Sequence, residues 1–181
     1  MAERKTRDEW VAAAARALTE QGVDGVKIER LARTLGVTKG SFYWHFAHRR
    51  ELLDAIVDHW MQEGTAAVID RVEAGGGDEE DKLRRLWRIA SGAGEQAFEL
   101  ALRDWARRDP NVAERIRTVD ERRMAYLRRL LRQVDVPPAT VEARCLLLYS
   151  LLIGDWFLDV EHGHKGRARV LREALDLLLG G

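Results

Sequence analysis

The sequence predicts an all-α protein, on three observations. Ala, Leu, Arg and Glu dominate its 181 residues and only three are proline, a composition rich in strong helix formers. Strand-like alternation of Val, Ile and Thr is scarce. Apolar residues instead recur three and four apart between capping and glycine signals, the spacing that lines one face of a helix. Hydrophobic residues make up 46% of the chain, enough for one large domain or two small ones.

The first helix opens at Thr6, where Thr6 and Glu9 form a T-x-x-E capping box ahead of an apolar stripe of Trp10, Val11, Ala14, Ala15 and Leu18. Gly22 ends it. Arg4, Lys5 and Arg7 oppose the helix dipole at this end, so they read either as an arm reaching phosphates or as a frayed terminus. In the second helix Ile28, Leu31, Ala32 and Leu35 share one face, and Gly36 follows where a left-handed residue would end it. Val37 then folds back onto the same core, after a turn of three residues. Thr38 can cap a third helix whose inner side is Phe42 and Phe46. Ala32 is small where the two helices would cross. Together, Lys27 to Phe46 have helix-turn-helix geometry.

The outer side of that third helix carries Thr38, Lys39, Gly40, Ser41, Tyr43, Trp44 and His45, residues that are polar, small or amphipathic. A helix of this width fits the major groove, with hydroxyls and cations in reach of phosphates. A solvated helical hairpin is the alternative, but two large aromatics on a polar face are the kind of surface that something usually covers. Net charge is zero and lends DNA binding no support. Its distribution does: residues 1–50 hold ten Lys and Arg against six acids, a modest basic end that suits reversible phosphate contact.

The run GVTKGSFYWHF, with Arg49 and Glu51-Leu52-Leu53 after it and Ala14, Leu18, Gly22 and Leu31-Ala32 before it, resembles the DNA-binding domain of the TetR family of bacterial transcriptional repressors. The resemblance is specific over about the first sixty residues and looser beyond. It implies base or phosphate contacts from Thr38, Lys39, Gly40, Ser41, Tyr43, Trp44 and His45, with Arg49 on a phosphate. Two positions depart from the family pattern: Lys27 stands where Thr or Ser usually caps the second helix, and Arg49 where Lys is usual. Both keep positive charge at the DNA. Lys27 cannot accept a hydrogen bond from a free N–H, so Asp24 is the candidate cap.

A longer helix starts near His48 and runs through Leu52, Leu53, Ile56, Val57, Trp60, Ala67 and Val68 to about Val72. The division expected is a DNA-binding domain at 1–50 and a helical effector-binding and dimerisation domain at 51–181. Residues 74–78, AGGGD, read as a loop with Asp78 capping a helix over 79–90. Ser91 to Gly94 break the pattern, without the strand or G-K-[ST] of a phosphate cradle. The next helix, 95–107, carries Phe98, Leu102 and Trp105. Asp109-Pro110 caps another that reaches about Val134, with Val112, Ile116, Val119, Leu127 and Leu130 on one face. Arg123 falls on that stripe and needs a partner, either an acid such as Asp104 or Asp155 or a ligand carboxylate.

Pro137-Pro138 precedes a helix over 140–160 that is apolar nearly all round, and a last helix runs over 165–179. A helix without a polar face must be covered on both sides, which predicts a homodimer built on a four-helix bundle of these two helices from each chain. Leu148, Leu152, Trp156, Val170, Leu171 and Leu178 are the candidate interface. Two-fold symmetry would set two recognition helices about one DNA turn apart on a palindromic operator. The resemblance implies the same arrangement, with about nine helices.

A small-molecule effector would bind in the second domain of a family member. Trp60, Trp87, Phe98, Trp105, Tyr149 and Trp156 are candidate pocket residues for a largely apolar molecule, with Arg123, Tyr149 or Asp155 as polar contacts, although aromatics at helical spacing are also plain core. His162-Gly163-His164 offers too few ligands for a metal. The single Cys145 lies in an apolar run and excludes an internal disulfide or a cysteine cluster. No catalytic set and no cofactor motif is present, which argues against an enzyme. The longest apolar run, Cys145 to Ile153, is too short to span a bilayer and no secretory signal follows Met1, so a cytoplasmic location is expected. The rival reading is a helical dimerisation module that binds proteins and no specific DNA.

Overall fold

The computed structural model describes residues 5–92, 96–158, 160–162 and 166–180. Among these residues there is no strand, and none of their helices is long and apolar enough to cross a membrane. In chain order the helices are α1 Arg7–Gln21, α2 Ile28–Thr34, α3 Lys39–Phe42, α4 Arg49–Met61, α5 Ala67–Ala74, α6 Glu79–Ala90, α7 Gln96–Ala106, α8 Pro110–Leu131, α9 Val141–Asp155 and α10 Arg167–Leu179. The described residues divide into two compact units. The first holds those up to Ala66 together with Gln96 to Val119, and the second holds Ala67 to Gly92 and those from Asp120 on.

The first unit reaches beyond residue 50. Trp10, Ala14 and Leu18 of α1 pack with Phe42, Phe46, Leu52, Ile56 and Trp60, and Leu102, Trp105, Val112, Ile116 and Val119 close the same core. Fifty residues bury too little surface to stand well alone, and α1 is covered by both α4 and α7. The Thr6–Glu9 capping box forms reciprocally: Thr6 Oγ1 accepts from the Glu9 N–H at 3.2 Å and the Glu9 carboxylate accepts from the Thr6 N–H at 2.8 Å. Between α4 and α5 the residues Gln62–Ala66 form a single π-helical turn, which rotates the buried stripe so that Thr65 and Ala66 face inward after Trp60.

The second unit is built on Leu83 and Trp87 of α6, Tyr126, Leu130 and Leu131 of α8, Cys145, Leu148 and Leu152 of α9, and Leu171, Leu175 and Leu179 of α10. Arg85 donates to the carbonyls of Val72, Gly75 and Gly76, so one guanidinium satisfies the open carbonyl end of α5 and its glycine turn. Glu73 is the hub of a second tie. It accepts from the Tyr126 hydroxyl at 2.7 Å and pairs with Arg129 and, at 3.3 Å, with Lys82.

The expected dimer residues divide between the unit's own core and its surface. Leu148, Leu152 and Leu171 are buried in the unit's own core, whereas Leu146, Leu147 and Leu177 of the same helices are exposed. On a helix that is apolar all round, composition does not say which side faces home. The buried positions Val141, Cys145, Leu148, Leu152 and Asp155 follow helical spacing, and the outward stripe runs through Ala143, Leu146, Leu147, Ser150 and Gly154 to Phe157. On α10 the outward side includes Leu177, which is 79% exposed, with Val170 and Leu178 half-buried beside it. Trp156 is also half-buried.

Candidate nucleic-acid interface

The site is set by how α2 ends and what holds α3 down. Gly36 takes φ +70°, its N–H donates to the Arg33 carbonyl at 3.2 Å, and the Val37 N–H donates to the Ala32 carbonyl at 2.9 Å. That pair of bonds is a Schellman motif, which reverses the chain within the short turn. Phe42 and Phe46 then anchor α3 from below, their rings stacked at 5.4 Å, with Trp10 edge-on to Phe42 at 5.4 Å. Because both phenylalanines are fully buried, the rest of this short helix and the turn after it face outward. Thr38, Lys39 and Gly40 are exposed and Ser41 is half-buried; Tyr43 is 54% and Trp44 74% exposed. Lys27 is exposed at the head of α2.

Several side chains do something other than expected. Thr38 occupies the N-cap position of α3 but its hydroxyl makes no capping bond. Lys27 caps α2 with backbone alone, and Asp24 does not replace it, being exposed and 3.9 Å from Arg108. Lys39 pairs with Glu29 of α2, and that hydrogen bond pushes the ammonium pKa up and the Glu29 carboxyl down. The Nε2 of His45 donates to the Lys5 carbonyl at 2.8 Å, and Arg7 lies over the Phe46 ring. These two contacts tie the start of the chain to the end of the recognition segment. Arg49 turns inward, its Nε donating to the Val26 carbonyl at 2.6 Å and a second nitrogen to Val23. A lysine has no fork to hold two carbonyls at once, which accounts for arginine at this position.

The aromatic residues named for an effector pocket separate between the units. Trp60 and Trp105 are buried in the first core and Phe98 packs against it; Trp87, Tyr149 and Trp156 belong to the second core. Arg123 is half-buried and donates to the Tyr149 hydroxyl at 3.4 Å, while that hydroxyl donates to Asp120 at 2.6 Å. Burial pushes the Tyr149 phenol up to about 12. The acids proposed for Arg123 are engaged elsewhere, Asp104 with Arg108 and Asp155 with Arg167, each at 2.8 Å. The indole N–H groups of Trp87 and Trp156 are buried without an acceptor among the described residues. Residues 163–165, including His164, lie outside the described residues, and among those described no group of His, Cys, Asp and Glu could hold a metal. Sequence reasoning did not find Arg85, the Glu73 hub, or the buried Glu99–Arg103 pair at 2.7 Å. Only the i,i+4 spacing of that last pair could have pointed to it.

Residues 11–56 match the family model described as bacterial regulatory proteins, tetR family. Over 56 residues the chain is 39% identical to the class A tetracycline repressor protein from transposon 1721 of Escherichia coli, covering 31% of this chain and 26% of that protein. The match thus spans about a quarter of the curated relative's length. Over nearly the whole chain the fold is that of solved structures at much lower identity. AibR, in complex with isovaleryl coenzyme A and operator DNA, has a TM-score of 0.73 at 17% identity, with 98% of each chain covered. A structure from Saccharomonospora viridis in complex with choline has a TM-score of 0.76 at 16% identity, with 96% of this chain and 95% of that one covered.

Proposed function

We propose, from the match of residues 11–56 to the model of the tetR family of bacterial regulatory proteins, that this chain is a dimeric, cytoplasmic transcriptional regulator of that family that represses from a palindromic operator and is released by a small molecule. The observation that carries this reading is the outward face of α3 and its following turn. Two phenylalanines fix the inner side completely, leaving Lys39, Gly40, Tyr43 and Trp44 exposed on a convex segment narrow enough for the major groove. In their likeness to this fold, AibR was solved with operator DNA and an acyl coenzyme A, and the Saccharomonospora protein with choline. These support the reading of an effector-responsive DNA binder.

Thr38, Ser41 and Lys39 supply hydroxyls and charge for phosphates, with Lys27 beside them. Tyr43 and Trp44 supply apolar surface for base edges and sugars. His45 and Arg49 act as positioning groups, one holding the chain's start and the other the connection before α2. The effector site belongs to the second unit, where the acceptorless indoles of Trp87 and Trp156 and the Arg123–Tyr149 pair can hydrogen-bond a largely apolar molecule that carries acceptor atoms. Binding there shifts the dimer between states of different recognition-helix spacing. The outward stripes of α9 and α10 form the dimer seam.

A gel-shift with salt titration on DNA from beside the protein's own gene tests the DNA assignment. The wild type should bind that DNA well above random sequence, with affinity falling steeply as salt rises. Tyr43→Ala should lose about tenfold or more in specific affinity with an unchanged circular dichroism spectrum. A Tyr43→Ala protein that shifts the fragment like wild type defeats the assignment of the reading face.

A further inference from the structure

We propose that the first unit carries its own binding site for a small organic anion, in a cavity separate from the effector site of the second unit. The cavity, about 330 Å³, lies where the 3-10 turn before α2, the first turn of α4 and the corner between α7 and α8 meet. That volume is at the lower end for small-molecule sites. Leu53, Val23 and Trp105 supply apolar lining; Arg49, Arg50 and Arg108 supply charge, against Asp24 and Asp109.

The charges do not cancel evenly. Asp109 accepts from the N–H groups of Asn111 and Val112 at the start of α8 and from Arg50 at 2.7 Å, so these two side chains satisfy each other. Arg49 spends its Nε and one terminal nitrogen on the Val26 and Val23 carbonyls, and its Nη1 has no acceptor among the described residues. Arg108 donates Nη2 to Asp104 at 2.8 Å, while its Nη1 stands 3.9 Å from Asp24, too far for a hydrogen bond. Asp24 is itself almost fully solvated. Two guanidinium groups therefore line one cavity with donors to spare, beside the apolar side chains of Val23, Leu53 and Trp105, the arrangement that recognises a carboxylate or phosphate with a hydrophobic body. An occupant would touch the residues just before α2 and just after the recognition segment, bracing the frame that holds the DNA-reading face.

Isothermal titration of the DNA-free protein with benzoate, at constant ionic strength, reads the site directly, and inorganic phosphate in a second titration separates a need for an apolar body from simple anion binding. Benzoate should bind saturably and more tightly than phosphate. Arg108→Gln, at an exposed corner, should weaken it at least tenfold, and Asp24→Asn, which removes the competing carboxylate, should tighten it. Arg117→Gln, which removes an exposed guanidinium of α8 outside the cavity, should leave it unchanged, so a general loss of charge and loss of this site are read separately. Absence of saturable binding, or equal benzoate affinity in wild type, Arg108→Gln and Asp24→Asn, overturns the proposal, as does phosphate binding as tightly as benzoate.

Discussion

At Gly40 the protein's own packing asks for nothing small. A Cβ there would meet only Thr38 Oγ1 at 3.7 Å, an ordinary contact, and the backbone is not left-handed. Alanine would favour the helix by up to about 1 kcal/mol, so on the proposed reading the missing side chain leaves room for DNA to approach the backbone closely. Gly40→Ala is expected to melt at the same temperature or higher and to bind operator at least about tenfold more weakly, measured by thermal denaturation and fluorescence anisotropy. Lys39 gives a second case. Lys39 is paired with Glu29, which on the proposed reading would compete with phosphate for the ammonium, so Glu29→Gln should raise affinity for random DNA a few-fold at low salt, roughly the worth of an exposed ion pair; unchanged affinity would show that Lys39 never meets the backbone. Identity at these positions was legible in the sequence, but partnership was not. Nothing in the run from Lys27 to Phe46 says that Lys39 already holds Glu29, that His45 holds the Lys5 carbonyl, or that Arg49 looks inward, because each partner is ten or more positions away and is brought near only by the fold.

Helix starts and stops were readable because their chemistry is local. The Thr6 box, Gly36, His48, Asp78 and Asp109 all mark ends where the structure has them, His48 through its Nδ1 accepting from the Glu51 N–H at 3.2 Å. Thr38 is the exception, a capping residue whose hydroxyl makes no cap. The π turn in Gln62–Ala66 escaped notice because an inserted residue leaves composition and apolar spacing nearly intact. Ties between helices were equally hidden. Glu73 of α5 joins α6 and α8 through Lys82, Tyr126 and Arg129, and the Tyr126 hydroxyl foremost holds its carboxyl down to about 2. A carboxyl depressed in the folded state stabilises the fold fully above its unfolded pKa, near 4.3, and loses that contribution as pH falls toward 2. Acid titration followed by circular dichroism should show wild type losing stability across that window. Glu73→Gln should be less stable at pH 7 and flatter between pH 4.3 and 2; equal slopes would dismiss the tie.

For the whole molecule, class and motif were plain in the sequence, while the division of the chain and the side of α9 facing home were not. Leu102 and Trp105 lie some fifty residues beyond the recognition segment yet complete its core, and no local signal announces that. On α9, leucines point both ways: Leu148 and Leu152 inward, Leu146 and Leu147 out. Covering the outward stripe with its two-fold mate would bury the exposed leucines and bring Ser150 and Gly154 close across the seam. A Leu146→Glu, Leu147→Glu double variant should therefore elute as a folded monomer. The measurement that bears most directly on the central claim is a hydroxyl-radical footprint on DNA from beside the protein's own gene. Wild type should protect two patches about one helical turn apart, and the double variant should protect neither at the same concentration. A footprint no stronger than on random DNA, or one that the double variant leaves unchanged, would contradict a dimer reading DNA with paired copies of α3.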